Sequence, residues 1–214
     1  MELEGLKEKP DIGSVVAKTV ERVTQQTIDI PRVLVVPKGE VKSGFSPFTL
    51  KPSAYTSSIA EPPADYHVSP SDKSNMAKYV FGGFERCLYP VQKFDSEAER
   101  KLAVILDRDA IKWFKSAKGQ FQIFCRHGAD HLEYQPDFVA ETGYAIFMLE
   151  PKASNQLYDP IVLAKKEAAL NWCANASAHA QSYGGKPWRY LLIPHDEIAT
   201  NITLDALVQR WLNS

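Results

Sequence analysis

Cysteine is scarce in this chain, as is anything that would tie it to a membrane or an oxidising compartment. The three cysteines, Cys87, Cys125 and Cys173, are odd in number and far apart. That excludes a disulfide framework and a zinc knuckle and leaves buried free thiols. No apolar run approaches the ~20 residues that cross a bilayer. The opening MELEGLKEKP has neither the basic region nor the apolar core of a secretory signal, so the expected location is the cytoplasm, away from membranes. Charge of one sign is also lacking: 25 Lys and Arg stand against 26 Asp and Glu, a formal net charge of −1. Any binding of nucleic acid must therefore rest on basic residues gathered on one surface. The candidates are Lys112, Lys115, Lys118 and Arg126, and later Lys165, Lys166, Lys186 and Arg189; the alternative for each is a solvated face. No internal repeat is visible. Gly13 to Thr19, GSVVAKT, partly resembles a phosphate loop, but Ala17 stands where glycine is needed and no strand precedes Gly13.

What is present is the material of an ordinary globular α/β chain. Its 214 residues, 44% hydrophobic and 24% charged, suffice for one substantial domain with an appendage. Val15, Val16, Val20 and Val23 predict a helix from about Ser14 to Gln26. Ile30 to Pro37 reads as a short edge strand bounded by prolines. From Lys42 to Ser74, five prolines and eight serines without periodicity predict loop or linker. The expected division is an appendage and linker over 1–74 and a main domain over 75–214.

Within the main domain, Tyr79 to Phe84 carries two glycines that permit a sharp turn. Ser96-Glu97-Ala98-Glu99 is a capping box for a helix with the apolar stripe Ala98, Leu102, Ile105 and Leu106. Ile111–Phe114 and Phe121–Cys125 read as short strands. Asp159-Pro160 opens a long helix whose shared face is Ile161, Ala164, Ala168, Trp172 and Ala176. Gly184-Gly185 ends it, Tyr190–Ile193 is a strand, and Thr203 caps a last helix bearing Leu204, Leu207, Val208 and Trp211. His127 and His131 have the helical spacing of zinc ligands, but Gly128-Ala129-Asp130 between them speaks for a loop or hairpin end.

The chemistry is expected in Tyr134 to Ala153, YQPDFVAETGYAIFMLEPKA. Two β-rich runs flank the break at Glu141-Thr142-Gly143, which makes a hairpin. The second run, Tyr144–Leu149, is apolar on both faces, as in a buried central strand, and ends abruptly on Glu150-Pro151-Lys152. In a hairpin, Asp137 and Glu150 emerge at the same edge of the sheet. Two carboxylates there suit a hard divalent cation such as Mg2+, with Mn2+ as a substitute. Lys152 beside them suits positioning of an attacking water and compensation of phosphate charge.

Pro136-Asp137, twelve residues, then Glu150-x-Lys152 resembles the PD-(D/E)XK nuclease signature. The flanking Phe94-Asp95-Ser96 with Glu99, and then Lys166, Ala168-Ala169, Trp172-Cys173, Lys186-Pro187-Trp188 and Leu191 to His195, sharpen the likeness. Together they resemble the C-terminal endonuclease region of the Res subunit of type III restriction enzymes and their DEAD/DEAH-box helicase relatives, over roughly Tyr79 to Leu212. The resemblance implies a restriction-endonuclease-like core, a mixed central sheet flanked by helices, and Mg2+-dependent hydrolysis of DNA. It implies Asp137 and Glu150 as metal ligands, Lys152 as the catalytic lysine, and Glu99 as a helical acid assisting the metal, although the capping box also accounts for Glu99. It implies Lys166, with Lys165 beside it, as a contact to the DNA backbone, against the alternative of a solvated helix face. His195 is taken as structural, and Trp172 and Trp188 as packing. In the resembled enzymes such a domain is joined to an ATP-driven motor and assembled with a DNA methyltransferase. The segment IPRVLVVPKGEV resembles the region on the C-terminal side of that motor, so the chain reads as a cut-down version. A competing expectation is a nuclease-like DNA-binding or assembly module that no longer cuts, kept open by Pro151, which removes a backbone donor beside the site. A third is a remnant unstable outside its parent.

Overall fold

The computed structural model describes residues 32–35, 41–44, 63–116, 123–127 and 130–212. The expected helix over Ser14–Gln26, the stretch around Gly13 and the candidate Lys118 lie outside these residues. In chain order the elements are β1 (Arg32–Val35), β2 (Val41–Gly44), β3 (Ala64–Asp65), β4 (Phe81–Gly82), β5 (Val91–Gln92), α1 (Glu97–Asp109), β6 (Lys112–Lys115), β7 (Ile123–His127), β8 (Asp130–Tyr134), β9 (Phe138–Glu141), β10 (Ile146–Lys152), α2 (Pro160–Gln181), β11 (Trp188–Pro194) and α3 (Leu204–Trp211). Short 3-10 turns fall at Lys73–Lys78, Ser154–Gln156 and His195–Glu197.

The centre is a four-stranded mixed sheet in the order β11-β10-β9-β6. β10 runs antiparallel to β9 and parallel to β11, and β9 runs antiparallel to β6. The parallel pair needs a long crossover, and α2 supplies it. Alternation along β11 puts Trp188, Tyr190 and Leu192 on one face. That face receives α2: Trp172 meets Trp188 edge-on at 5.0 Å, and Trp188 N donates to Ser177 Oγ at 2.8 Å. The opposite face carries Trp113, Phe138 and Phe147, with Phe94 stacked on Phe138 ahead of α1. The sheet is thus buried on both sides by helices, which explains why β10 is apolar at every position up to Leu149.

Several local expectations are met atom by atom. Ser96 Oγ accepts from Glu99 N at 3.2 Å, and Ala98, Leu102, Ile105 and Leu106 are all buried. Asp159 caps α2 through Ile161 N at 2.8 Å, with proline following. Thr203 Oγ1 caps α3 through Ala206 N. Gly184 ends the α2 region with φ +72° and Gly83 turns with φ +88°, where a side chain would be strained. Cys87 and Cys173 are buried free thiols.

Others need correction. Lys42–Ser74 is not all loop. β2 occupies Val41–Gly44 and pairs with β1, and β3 pairs with β4. Tyr66 is buried and donates its hydroxyl to Asp107 at 2.7 Å; one buried aromatic anchored on a carboxylate outweighs a loop-like composition. β6 is shifted by one residue from Ile111–Phe114, leaving Ile111 exposed. The buried face of α2 is Ala169, Trp172, Cys173, Ala176 and Ala180, which includes Trp172 and Ala176 of the expected stripe; Ala168 is partly buried against the core, as is Val162 in the first turn, while Ile161 is exposed. Tyr144 stands outside β10, half exposed, its hydroxyl on Asp205 at 2.7 Å. Tyr134 ends β8, which pairs with β7, rather than starting the first strand of the motif hairpin. β10 continues through Glu150, Pro151 and Lys152 instead of stopping at Leu149.

Candidate active site

The register of β9 and β10 builds the site. The last ladder pair is Leu149 with Phe138; one step further along the same register brings Glu150 opposite Asp137, and residues directly opposite share a face. Ser116 N donates to Asp137 O at 2.9 Å, so Asp137 still follows the line of β9. The next step faces Pro151 with Pro136, both buried, and neither has an N–H to give. The two strands therefore part at this point, and the carboxylates stand in the crotch of the fork.

Pro151 does not break the sheet. Ile146 N donates to Pro187 O, next to β11, so by alternation the backbone of Glu150 and Lys152 faces β11 while that of Pro151 faces the side that β9 has left. The proline sits where no ladder bond is due.

Glu150 is held at both oxygens. Lys152 Nζ lies 3.0 Å from Oε1, and the buried Tyr134 hydroxyl donates to Oε2 at 3.2 Å. Tyr134 reaches it from the end of β8, its ring edge-on to Tyr190 at 6.4 Å. Burial raises the Glu150 pKa, against the lowering pull of Lys152, Tyr134 and Lys165. Asp137 is shifted up strongly, by burial first and then by the negative charges of Glu150 and Glu99, with Lys152 and Lys115 opposing. Among the described residues no donor is hydrogen-bonded to the Asp137 carboxylate. Burial disfavours the Lys152 ammonium, but Glu150, Asp137 and Glu99 outweigh it and raise its pKa, so Lys152 stays charged at neutral pH. Burial likewise raises the Tyr134 pKa, with Glu150 adding to it.

Glu99 stands in the first turn of α1, and its charge acts on Asp137 and Lys152. Its Oε2 accepts from Asp95 N at 2.8 Å and from Lys115 Nζ at 2.9 Å. Lys115 also reaches Asp95 Oδ2 at 2.7 Å. Glu97, the other acid of the capping box, turns to Arg100.

The candidate residues thus divide. Asp137, Glu150 and Lys152 are brought together, Glu99 acts on Asp137 by its charge from α1, and Lys165 acts on Glu150 from the first half of α2, with Lys166 its partly buried neighbour. Lys112 and Lys186 are not part of this surface: both pair with Glu141 at the far end of the strands, at 3.2 and 2.7 Å. Arg189 is exposed and acts on Tyr144, also away from Glu150. The side chains of Arg126, His127 and His131 lie outside the described ones.

Against family models, curated proteins and solved structures, the chain has no match. The site is therefore read from its own chemistry. Among the described residues no three His, Cys, Asp or Glu side chains stand as a group able to hold a metal ion. Two carboxylates remain, Asp137 and Glu150, desolvated and repelling each other. A divalent cation such as Mg2+ needs few protein ligands, because it keeps several waters and binds through one or two carboxylates. Asp137, which has no donor among the described residues, fits that requirement. Among the described residues, no helix is long and apolar enough to cross a membrane.

Lys115, Tyr134 and Tyr190 were not singled out by the motif. For Lys115 the signal was available: Lys112-Trp113-Phe114-Lys115 is a buried strand that ends on a charge, as β10 does. Tyr134 gave no such signal, because its contact depends on how the β7–β8 hairpin folds over the sheet.

Proposed function

We propose that this chain is a divalent-cation-dependent endonuclease domain of the PD-(D/E)XK type that hydrolyses DNA phosphodiester bonds, with Asp137 and Glu150 holding Mg2+ or Mn2+ and Lys152 as the catalytic lysine. The observation that carries the reading is the fork itself: Asp137, with no donor among the described residues, stands across from Glu150, with a charged lysine 3.0 Å from the latter. When bound, the cation supplies positive charge to the scissile phosphate and acidifies water.

The chain's residues do the rest. Asp137 and Glu150 set where the cation sits. Lys152, kept as an ammonium by Glu150, donates to the attacking water or to a phosphate oxygen; its raised pKa makes it a stabiliser of developing charge rather than the base. The water oxygen bonds to phosphorus and gives up a proton to solvent, the bond from phosphorus to one sugar oxygen breaks, and that oxygen leaves with a proton from solvent. Tyr134 keeps Glu150 from turning away. Lys165 and Lys166 on α2 supply backbone contacts to the DNA. The parent system is proposed to be of the type III restriction kind, with a motor and a methyltransferase as partners and a cytoplasmic location.

The test is nicking of supercoiled plasmid by the purified chain with Mg2+ or Mn2+. Removing a donor of this sort costs about 10²–10³-fold in rate, so Lys152→Ala is expected to lose that much and Asp137→Ala to lose cutting and metal binding together. A folded chain that neither cuts nor binds metal refutes the reading and leaves the non-cutting DNA-binding or assembly module.

A further inference from the structure

Buried polar side chains nearly always find a hydrogen-bond partner, and one that does not points to strain, to a catalytic role, or to a water or ion. Ser116 is such a case. The residue is 8% exposed, and its Oγ meets no donor or acceptor among the described residues. Its main chain does all the holding: Ser116 N donates to Asp137 O at 2.9 Å, and Ser116 O accepts from Gln135 Nε2 at 3.0 Å. The fold uses the backbone of this residue and leaves its hydroxyl unused.

The register of β6 and β9 says where that hydroxyl lies. Its last pair is Lys115 with Phe138, and one step further sets Ser116 opposite Asp137, as the hydrogen bond between them requires. Lys115 turns to Glu99 on α1 at 2.9 Å, so alternation sends the next side chain to the other face of the sheet. Asp137 follows Phe138 in the same way, and Glu150 follows Leu149. Ser116, Asp137 and Glu150 therefore form one row across the lines of β6, β9 and β10. At one end of the row Glu150 is held by Lys152 and Tyr134. Asp137, in the middle, has no donor among the described residues, and at the other end stands a hydroxyl with both lone pairs unused.

A small divalent cation bound through two carboxylates keeps several waters, and each of those waters has protons to donate. Beside Asp137, Ser116 Oγ is placed to accept one. Resting on the metal-site reading above, we propose that Ser116 is a positioning residue: its Oγ accepts a hydrogen bond from a water on the cation held by Asp137 and Glu150, and so fixes that water without touching the ion.

The test is Ser116→Ala in the full chain, which deletes the hydroxyl and keeps the backbone bonds of the strand end. Two measurements are made, thermal melting in chelator followed by far-UV circular dichroism, and calorimetric titration with Mn2+. The melting temperature in chelator is expected to equal that of the wild type or exceed it, while Mn2+ affinity falls by about 10–100-fold, the usual cost of removing an outer-shell partner. Ser116→Thr, which keeps the hydroxyl, is expected to bind within about threefold of the wild type. Unchanged Mn2+ affinity in Ser116→Ala would overturn the proposal, as would a folded Ser116→Thr that binds no better than the alanine variant. An alanine variant that unfolds or melts lower in chelator overturns it too, because the hydroxyl would then be holding the fold. Failure of the metal site itself looks different: a folded wild type binds no Mn2+ and Asp137→Ala changes nothing, which removes both readings. Binding that is lost in Asp137→Ala and kept in Ser116→Ala removes the role of Ser116 alone.

Discussion

Asp107 supports the scaffold around this site, and its replacement by asparagine makes a sharp test. Its two oxygens accept from the Tyr66 hydroxyl at 2.7 Å, Glu85 N at 2.9 Å, Arg86 N at 2.9 Å and Trp113 Nε1 at 2.8 Å. The network joins α1, which carries Glu99, to β6, which carries Lys115, and to the segment that includes Tyr66. In Asp107→Asn one oxygen remains to accept, while the amide nitrogen faces two donors. Each buried donor left without an acceptor costs about 1–3 kcal/mol, so the two together are expected to cost about 2–6 kcal/mol at pH 7, a large part of a domain's ~5–15 kcal/mol. Burial opposes the Asp107 carboxylate, but the four donors outweigh it and hold its pKa below the usual value. A carboxylate with a depressed folded pKa contributes stability that is present above its unfolded pKa of about 3.9 and is lost as pH falls through the folded value. The gap between wild type and Asp107→Asn should therefore be full at pH 7 and narrow below about pH 4. Urea unfolding followed by tryptophan fluorescence reads this directly, since Trp113 is itself a partner. A loss under about 0.5 kcal/mol, the size of an ordinary surface change, or a gap that does not narrow with acid, refutes the argument.

Three further outcomes are expected of the site and the caps. In chelator, Asp137→Asn should stabilise the fold by about 0.5–2 kcal/mol, the size of common stabilising substitutions; because the folded Asp137 pKa is raised, stability is lost as pH rises above the unfolded value, so the advantage should appear in melts at pH 7 and vanish near pH 4, and a variant less stable at pH 7 would count against it. Tyr134→Phe removes the donor on Glu150 Oε2 and should cost about 1–3 kcal/mol in urea unfolding while weakening Mn2+ binding in calorimetry; unchanged binding would show that Tyr134 packs without orienting. Thr203→Ala removes the cap on α3 and should lower stability by about 1 kcal/mol with no effect on Mn2+ binding.

How much of the fold and site is legible in the sequence depends on whether the deciding interaction is local. Caps are local: Ser96, Asp159 and Thr203 each bond to an amide two or three residues on, so side-chain type and spacing suffice. The hairpin edge that unites Asp137 and Glu150 is nearly as local, being one turn long. Tyr66 on Asp107, Tyr134 on Glu150 and Lys115 on Glu99 are each more than ten residues apart, and polar composition or a lone charge says nothing of them. The stripe on α2 holds at Trp172 and Ala176 but not at Ile161, since a helix buries its stripe only where other elements lie against it. Pro151 reads as damaging because a proline within a strand normally is; which side of the strand it faces depends on the register of two neighbours.

That register also sets a limit on how the chain can vary. The turn from Thr142 to Ala145, closed by Thr142 N on Ala145 O at 2.9 Å, is the spacer that counts residues between the two acids. Inserting one residue there and letting β10 slip by a position would send Glu150 to the opposite face from Asp137, while every core position on the strand inverted with it. The hydrophobic pattern that holds β10 in place thus also keeps the acids in phase. Length in this turn should be conserved among functional variants even where its residues are free to change.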